Sequence, residues 1–395
     1  MPVHSLSQKV LLPELRSLGS RALNRGPIVV HAEKTSRQEV CPKCAQVATS
    51  VYDHRWVLVK DEPIRRRTTI LRIKKRRFFC KPCGKPFTEP VHGIRKGARS
   101  TERYRRAVVW GCETFANLKA VRKHFRCSGG YVYDNLYPIL ERKQRERKYP
   151  WPKVIGIDEH SFKRSPETGF MRFATLLVDF KGKRVLDVVD GRTHAELRAA
   201  LSDRPGRENV RHVALDMSDT YKSFAREFFP NAKLVADKFH VLRLLNPALN
   251  RRRRELTGPK KTPRLRRMLL KSGKRLNHVD AFWLQRWLDD APVLKELYVY
   301  KEALHRLYRT RGYNRAARAL TALTDNMAAS QLPEIKKLRR TLIRWRNEIL
   351  EYFRTQITNG RTEGFNNVAK LVKKRAYGYR SFRNYRLALL QACAK

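Results

Sequence analysis

Acidic residues are scarce in this sequence. Its 395 residues include 36 Asp and Glu against 87 Lys and Arg, which gives a formal net charge of +51 at pH 7. This excess is far larger than solubility requires, and it creates a field that attracts polyanions. The composition therefore predicts nucleic acid as the main partner.

Long apolar runs are absent as well. No stretch of about 18 or more apolar residues is present, so the sequence predicts no membrane span. The apolar residues near the N-terminus are interrupted early by Pro13 and Glu14, which is atypical of a signal peptide. We therefore expect a cytoplasmic, nucleoid-associated protein. Hydrophobic residues still make up 42% of the chain, which is enough for several domains with proper cores.

Cysteine is limited to seven residues, and four of these form two Cys-x-x-Cys pairs. The paired residues are Cys41 and Cys44 in "CPKC", and Cys80 and Cys83 in "CKPC". Two such pairs supply the four thiolates of a tetrahedral zinc site, which suits a reducing compartment better than a disulfide framework does. His54 lies between the pairs and is an alternative ligand, but four cysteines already complete the coordination. We predict a zinc ribbon within an N-terminal region of residues 1–95.

Residues 96–150 have the pattern of three helices. The segments "TERYRRAVVWGCETF", "NLKAVRKHF" and "GYVYDNLYPILERKQRER" carry apolar residues at helical spacing, and "RCSGG" predicts a tight turn between the last two. This pattern predicts a helix-turn-helix DNA-binding domain, although a plain three-helix packing unit gives the same pattern. In a helix-turn-helix, the start of the last helix approaches base edges in the major groove. The candidate DNA-contacting residues there are Ser128, Tyr131, Tyr133 and Asn135.

The pattern changes after the two prolines of "YPWP", which mark a domain boundary near residue 150. Short apolar runs and amphipathic segments then follow in the order strand, strand, strand, helix, strand, helix, strand. Three strands in a meander followed by right-handed helical crossovers are typical of a ribonuclease-H-like α/β fold. We therefore predict the first part of a ribonuclease-H-like catalytic core at residues 151–250.

Two acids stand at strand ends in this predicted core. Asp158 ends the first strand and Asp216 ends the fourth, and these strands lie side by side in the predicted fold, about 4.8 Å apart. Two carboxylates at that distance repel each other unless a cation lies between them. Magnesium prefers such oxygen ligands and keeps positions open for water and phosphate. The pair therefore predicts a site for phosphodiester chemistry.

A third carboxylate comes from the predicted closing helix of the core, in residues 356–395. In "TEGFNNVAKLVKKR", apolar residues recur at helical spacing, and Glu363 falls in the first turn of the helix. An acid at this position is also favoured by the helix dipole, so a capping role is the alternative to a catalytic one. Together with Asp158 and Asp216, the catalytic role is the better interpretation of Glu363.

The interval before this helix, residues 251–355, is predicted to be helical throughout. It forms an all-α insertion that interrupts the core and returns the chain to Glu363. Its basic faces are candidates for contact with DNA or a second protomer, although a run of charge is usually a solvated face. We expect its tryptophans, Trp283, Trp287 and Trp345, to lie in the core rather than to stack on bases.

Several sequence blocks resemble those of a known family. The blocks are "GIDEHSFKR", "ALDMSDTY", "ADKFHV" and "NGRTEGFNNVAKLVKKRAYGYRSF". Over nearly its whole length, the chain resembles the DDE-class insertion-sequence transposases of the bacterial ISL3 family. The resemblance implies that Asp158, Asp216 and Glu363 form the catalytic triad. It also implies that Asp237 and His240 belong to the Asp-x-x-His element of several DDE groups.

The resemblance implies a multidomain α+β and α/β enzyme that binds transposon ends in double-stranded DNA. We expect two catalytic Mg²⁺ ions for cleavage and strand transfer, a structural Zn²⁺, and a homodimer or higher multimer on DNA. Two alternatives remain, namely a DNA-binding regulator with an inactive core and a nuclease that cuts without joining. His240 either positions a phosphate or flipped base or simply hydrogen-bonds Asp237. The candidate backbone-contacting cations are Lys373, Lys374, Arg375 and Arg380.

Overall fold

The computed structural model describes residues 11–22, 26–147, 149–165, 167–258 and 262–394. The chain divides into two units. One comprises the chain up to Lys143 together with Arg375–Tyr377, and the other comprises Gln144–Lys374 and the chain from Gly378 onwards. Both strands and helices are present, and the described helices outnumber the described strands.

The first unit contains a five-stranded sheet. Its strands are β1 (Leu15–Ala22), β2 (Ile28–Lys34), β5 (Val51–Ile64), β6 (Arg67–Cys80) and β7 (Lys85–Thr88), and the short strands β3 (Glu39–Val40) and β4 (Val47–Ala48) pair separately. The order is β1-β2-β6-β5, with β7 also paired to β6. In β6, Leu71 and Ile73 point to one face at the two-residue spacing of a strand and are buried with Ala32. β6 lies between the two cysteine pairs and ends at Cys80, and the sheet around it was not predicted from the sequence.

Three helices follow in the same unit, as predicted. They are α1 (Glu102–Thr114), α2 (Leu118–Phe125) and α3 (Gly129–Glu146). Thr101 and Asn117 cap the first two through side-chain oxygens that accept backbone N–H bonds, which satisfies otherwise unpaired donors. Arg126 ends α2 in the left-handed conformation, with φ of 49°. A core that includes Val121 and Val132 joins the helices.

The second unit is built around another five-stranded sheet. Its strands are β8 (Val154–Arg164), β9 (Met171–Asp179), β10 (Arg184–Asp190), β11 (His212–Leu215) and β12 (Lys233–Ala236), in the spatial order β10-β9-β8-β11-β12. The first three pair antiparallel, whereas β8, β11 and β12 run parallel. Helices α4 (His194–Leu201) and α5 (Asp219–Phe228) provide the crossovers. The predicted order of strands and helices is confirmed.

The first strand of this sheet is longer than predicted. β8 continues to Arg164, so Asp158 lies inside the strand rather than at its end. Parallel pairing with β11 ends at Ile157, whereas antiparallel pairing with β9 continues to Arg164. The prediction was wrong because the apolar run marks only the part of β8 that is paired on both sides. Asp158 is the first residue beyond the parallel pairing, and Asp216 directly follows β11.

The remaining elements are helices. They are α6 (Lys238–Leu242), α7 (Asn246–Thr257), α8 (Pro263–Leu270), α9 (His278–Asp289), α10 (Pro292–Leu307), α11 (Tyr313–Asn326), α12 (Pro333–Arg344), α13 (Arg346–Thr355), α14 (Gly360–Arg375) and α15 (Phe382–Ala392). Between residues 246 and 355, the described part of the chain contains no strand, as predicted. None of the described helices combines the length and apolar composition that crossing a bilayer requires.

The tryptophans of this helical segment differ in exposure. Trp345 is buried in the main core, and Trp287 packs against that core while partly buried. Trp283, however, is 51% exposed, so the prediction that it lies in the core was wrong. Helix α9 buries a stripe that includes Leu284 and Leu288, four residues apart, and Trp283 lies beside that stripe rather than within it.

The two faces of the second sheet are covered by different helices. Alternate residues of β9 point to opposite faces, so Leu177 belongs to the core shared with the crossover and insertion helices, while Leu176 belongs to the opposite core. The opposite core includes Ala369 of α14 and Leu389 of α15. This packing places the start of α14 beside the parallel part of the sheet, where it contacts β8.

Candidate active site

The four paired cysteines meet in the first unit. One Sγ atom from each lies within 4.8 Å of the others. The Sγ atoms of Cys44 and Cys80 are 3.4 Å apart, and those of Cys41 and Cys83 are 4.0 Å apart. His54 is exposed on β5 and is not part of this group among the described residues. Four convergent sulfurs fit the tetrahedral ligand set of structural zinc.

The thiols of this group are electrostatically coupled. Hydrogen bonds from the backbone amides of Cys44 and Lys43 lower the pKa of Cys41 to about 7. Neighbouring thiols, with burial, raise the pKa of Cys83 to about 12. Four thiolates at these distances repel one another, so their simultaneous deprotonation requires a cation among them. This arrangement fits zinc.

A second potential metal-binding group lies at the edge of the parallel strands in the second unit. Ligand atoms of Asp158, Asp216 and His240 lie within 4.8 Å of one another. Asp158 is on β8, Asp216 follows β11, and His240 is on α6, which begins directly after β12. The point where the parallel pairing of β8, β11 and β12 ends therefore brings these side chains together, as predicted for the two aspartates.

The carboxylates of this group differ in their hydrogen bonding. One oxygen of Asp158 accepts from the backbone N–H of Glu159 at 2.8 Å, and the other accepts from Asn366 Nδ2 at 2.9 Å. Asp216 Oδ1 is buried and has no hydrogen-bond partner among the described residues. A buried oxygen without a partner is costly, and a bound cation removes that cost. Carboxylate oxygens and an imidazole are suitable ligands for a divalent cation.

The proton affinities of these groups are raised. Burial, with smaller contributions from Asp158 and Glu159, raises the pKa of Asp216 to about 6, and His240 opposes the shift. Burial also raises the pKa of Asp158. The pKa of His240 is raised, mainly by its hydrogen bond to Asp237. A cation bound between the two aspartates displaces these protons and stabilises the ionised carboxylates.

Asp237 is buried and connects two elements of the site. As the residue before α6, it caps the helix by accepting from the backbone N–H of His240 at 3.3 Å. The same oxygen lies 2.9 Å from His240 Nδ1, while the other accepts from the backbone N–H of Asn359 at 3.0 Å. Asp237 thus orients His240 and fixes the start of α14. The hydrogen bond between Asp237 and His240 is the one expected in the alternative interpretation of His240, and the role of the ring towards a phosphate or a base stays a prediction.

Glu363 lies in the first turn of α14, where its side chain is exposed. Its backbone N–H donates to Asn359 O at 3.1 Å. Among the residues that the structure describes, the potential metal-binding group formed by Asp158, Asp216 and His240 does not include Glu363. The structure therefore brings together two of the three predicted acids. The third lies one helical turn before Asn366, which contacts Asp158.

A chain of hydrogen bonds behind Asp158 was not predicted. Asn366 bonds Asp158 through Nδ2, and its Oδ1 lies 3.1 Å from His160 Nδ1. The Nε2 atom of His160 is hydrogen-bonded to the hydroxyl of Tyr385. Burial lowers the pKa of His160 to about 4, so the ring is neutral at pH 7. A neutral ring that donates from Nδ1 accepts at Nε2, so the network has one consistent direction from Tyr385 to Asp158.

The predicted base-contacting residues of α3 have different environments. Ser128 Oγ accepts from the backbone N–H of Tyr131 at 3.0 Å, and the Tyr131 hydroxyl is 2.8 Å from Ser100 Oγ. Asn135 Nδ2 donates to Tyr131 O at 2.7 Å. Tyr133 is 49% exposed. Of the predicted residues, Tyr133 and Ser128 are therefore the exposed ones, while Tyr131 and Asn135 are half-buried.

The predicted backbone-contacting cations also differ. Lys373 is half-buried, and its Nζ donates to Ser161 O. Lys374, Arg375 and Arg380 are exposed. Lys373 therefore secures α14 to the edge of β8, whereas the other three present their charge to solvent.

A four-cysteine ribbon and a carboxylate pair beside the parallel strands of an α/β sheet, in a strongly basic chain, fit a metal-binding protein that acts on nucleic acid. Residues 155–389, more than half of the chain, match the transposase family model DDE_Tnp_ISL3, and residues 37–83 match the zinc-finger of transposase IS204/IS1001/IS1096/IS1165. The chain belongs to the ISL3 family of DDE transposases.

Similar proteins carry the same description. The chain is 25% identical over 362 residues to the transposase for insertion sequence element IS1001 of Bordetella parapertussis, covering 89% of this chain and 88% of that one. It is 24% identical over 335 residues to the transposase for insertion sequence element IS1557 of Mycobacterium tuberculosis, covering 76% of this chain and 73% of that one.

Proposed function

We propose that this transposase binds the ends of its insertion sequence and catalyses Mg²⁺-dependent DNA cleavage and strand transfer by two-metal phosphoryl transfer. The observation that carries this proposal is the convergence of Asp158, Asp216 and His240, with a buried Asp216 oxygen that has no partner. Bound magnesium supplies activation of water or a 3′-hydroxyl and stabilisation of the departing oxygen. The side chains of the protein bind the metal and the DNA, as the next paragraphs describe.

The fold supports this chemistry. The sheet order β10-β9-β8-β11-β12, with three antiparallel strands followed by parallel ones, is the arrangement expected of a ribonuclease-H-like core. Such a sheet brings the edges of β8 and β11 next to each other, so that Asp158 and Asp216 face one cleft. We therefore propose that the second unit is a ribonuclease-H-like catalytic core with a helical insertion.

The carboxylates and His240 have separate roles in this proposal. Asp158 and Asp216 hold magnesium, and the amide of Asn366 keeps Asp158 in a fixed orientation. Because Asp237 engages His240 Nδ1, the Nε2 atom is the ring nitrogen that remains for a metal or a phosphate oxygen. The raised pKa of His240 favours its cationic form, which attracts a phosphate until metal binding lowers that pKa.

Glu363 completes the ligand set in the proposed active complex. Its side chain is exposed and lies on the same helix as Asn366, three positions earlier. Residues three apart on a helix share one face, so Glu363 belongs to the face that meets Asp158. A long, solvated side chain can change rotamer at small cost, which allows it to reach a metal once the cation is present.

The remaining surfaces supply DNA binding. The three helices of the first unit have the length and turn of a helix-turn-helix, and Tyr133 is exposed at the start of its last helix. Exposed cations such as Lys374, Arg375 and Arg380 supply contacts with backbone phosphates. Two element ends must be processed together for joining, so we propose that the active species is a homodimer or higher multimer.

The test uses purified, zinc-loaded protein and DNA that carries the repeats flanking its gene. We expect Mg²⁺-dependent cleavage at the repeat ends, and joining of pre-cut ends to a plasmid target. Asp216→Asn should bind the end DNA but abolish both reactions. Binding without cleavage by the unaltered protein indicates a regulator, and cleavage without joining indicates a nuclease.

A further inference from the structure

A basic cavity lies in the second unit, next to the helix that carries His240. Its volume is about 570 Å³, which is in the range of sites for small organic groups. Its walls come from α6, the start of α7, the end of α8 with the turn that follows it, and the end of α10. The cationic residues of the wall are Lys238, Arg243, Lys271, Lys274, Arg275 and Arg309.

Carboxylates are scarce around these charges among the residues that the structure describes. No acidic residue lines the cavity, and none of its six cations forms an ion pair with a carboxylate in the described part of the chain. His305 also lines the cavity, and its pKa is lowered by burial and by Lys301, Arg309 and Arg275, against the opposing charge of Glu302. A cavity that concentrates unpaired positive charge favours a bound anion, which relieves the mutual repulsion.

The cavity also has aromatic walls. Phe239 is 38% exposed, and the guanidinium of Arg243 lies 5.9 Å from the centre of its ring. Tyr308 lines the inner part and is buried. Exposed aromatic rings combined with cations are the combination that binds unpaired nucleotides, because bases stack on the rings while the cations hold the phosphates. An acidic peptide would also bind the cations, but it has no base to stack on the ring of Phe239.

The cavity and the candidate active site share one helical turn. Lys238 and Phe239 lie between Asp237 and His240 in the chain, so the same turn contributes to both. Phe239 also approaches the start of α14, where its ring carbon Cε2 lies 3.9 Å from the position of a methyl group on Gly360. Phe239 therefore borders both the cavity and the start of α14, the helix whose Asn366 bonds Asp158.

We propose that the cavity receives an unpaired nucleotide of the DNA strand, next to the phosphate that is held at the acidic pair. Its cations bind the phosphate of that nucleotide, and Phe239 stacks on the base. This inference rests on the proposed function and adds a site that separates strands locally. During cleavage of a duplex end, one nucleotide then leaves the duplex and enters the cavity. The contacts in the cavity offset the free energy of unpairing and unstacking its base.

Binding of short oligonucleotides tests the cavity without catalysis. Full-length zinc-loaded protein is titrated, without added magnesium, into fluorescein-labelled single-stranded oligothymidylate and into a duplex of the same length. For Arg243→Ala and Lys274→Ala we expect single-strand affinity to fall about tenfold and duplex affinity about twofold. Arg340→Ala, an exposed arginine on α12, is the matched control and should reduce both about equally.

A second pair of probes tests the base. Phe239→Leu keeps an apolar side chain but removes the ring, so it should weaken binding of the thymidylate about tenfold and leave an abasic strand of the same length unaffected. Equal losses for both strands, or equal losses for single and double strands in the cavity variants, overturn the proposal. The proposal is also overturned if polyglutamate competes for binding as strongly as the abasic strand does.

The outcome for the unaltered protein separates this proposal from the proposed function. If the duplex binds and the single strand does not, the cavity proposal is wrong and the transposition chemistry stands. If neither binds, the cavity proposal is wrong, and the cleavage assay with repeat-end DNA still decides the proposed function. Preferential binding of the single strand, lost in the cavity variants and kept in Arg340→Ala, supports the cavity while leaving the cleavage assay to decide the reaction.

Discussion

Asn366 donates a 2.9 Å hydrogen bond to Asp158, across 208 positions of the chain. The bond joins the closing helix α14 to the strand β8, and it holds the Asp158 carboxylate in one orientation. Because Asn366 also bonds His160, it cannot turn away from Asp158 without breaking a second bond. An acid that is expected to hold a metal is therefore oriented by a residue that was not among the predicted ligands.

Replacing Asn366 with Ala should impair catalysis more than folding. Residues that orient metal ligands typically contribute about 10- to 100-fold to metal affinity or activity, and we expect a loss of cleavage in that range. Mn²⁺ or Mg²⁺ affinity, measured by calorimetry, should fall in parallel. Asn367→Ala is the matched control, since Asn367 is exposed on the same helix. Unchanged metal affinity in Asn366→Ala contradicts the orienting role.

Glu363→Gln should abolish cleavage and joining while leaving binding of end DNA intact. The amide keeps the size and hydrogen bonding of the acid but removes the charge that metal coordination needs. Thermal stability should change little. A capping role predicts the reverse, with stability reduced by about 0.3 to 1 kcal/mol and catalysis largely preserved. An active Glu363→Gln protein would falsify the catalytic assignment and leave His240 as the third ligand.

The raised pKa of Asp216, about 6, predicts a characteristic pH dependence. A carboxyl whose folded pKa exceeds its ordinary value of about 3.9 stabilises the fold below that value, and this contribution is lost as the pH rises through 6. The raised pKa of His240 acts in the same direction but at higher pH, since its contribution is lost only above the ordinary histidine value of about 6.5. The lowered pKa of His160 acts in the opposite direction over the same range, so the Asp216 contribution is measured as a difference from Asp216→Asn. We expect that difference in melting temperature, for the metal-free proteins, to decrease between about pH 4 and pH 6.

Added magnesium should offset that loss at pH 7, because it binds the ionised carboxylates. Its affinity should fall about tenfold per pH unit below pH 6, where binding must displace a proton. Calorimetry at several pH values, with release of protons detected through buffers of different ionisation enthalpy, measures both effects. The Asp216→Asn protein should not be stabilised by magnesium, and it should lack the part of the pH dependence that the Asp216 carboxyl causes. A pH-independent affinity between 5 and 7 contradicts the pKa of Asp216.

Gly156→Ala should displace the start of α14. A methyl group at Gly156 meets Thr362 Oγ1, Phe180 Cε1 and Asn359 Oδ1 at distances shorter than real contacts allow. Overpacking of this kind costs about 1 to 3 kcal/mol, and here it also separates Asn366 from Asp158. The expected result is a lower melting temperature and a loss of cleavage. Gly364→Ala is the control, because a methyl there has no neighbour within 4 Å.

Cys41→Ser and Cys83→Ser should each release zinc from the ribbon. Loss of one of four ligands exposes the remaining thiols and unfolds the ribbon, since structural zinc sites contribute folding energy directly. Binding to element ends should weaken, while the second unit keeps its cooperative melting transition. Cys112→Ser lies outside the ribbon and should retain one zinc per chain. Protein that contains no zinc as purified, by mass spectrometry under native conditions, is incompatible with this interpretation.

The elements that were predictable share a local signal. Tyr221, Phe224 and Phe228 repeat at helical spacing and define α5, and the apolar run before Asp216 defines β11. The two Cys-x-x-Cys pairs indicate that their four cysteines bind one zinc ion together. Each of these patterns lies within a short stretch of sequence, so it can be recognised without knowledge of tertiary contacts.

The elements that were missed depend on distant partners. Asn366 and His160 are separated by 206 positions, and neither residue type at its place signals the contact between them. The extension of β8 beyond Asp158 depends on its pairing with β9 rather than on its own residues. Trp283 is exposed because α9 presents a neighbouring stripe to the core. Sequence periodicity gives the spacing of such a stripe but only roughly its edges.

The hydrogen bond between Asp237 and Asn359 has a consequence for the order in which the protein matures during synthesis. The acids on β8 and β11 and the turn with His240 leave the ribosome more than a hundred residues before Asn359. Until the helical insertion is complete, the nascent chain has the aspartates but neither the amide that orients Asp158 nor Glu363. A polypeptide that is interrupted within the insertion therefore lacks both groups, and the proposed catalytic site is completed last.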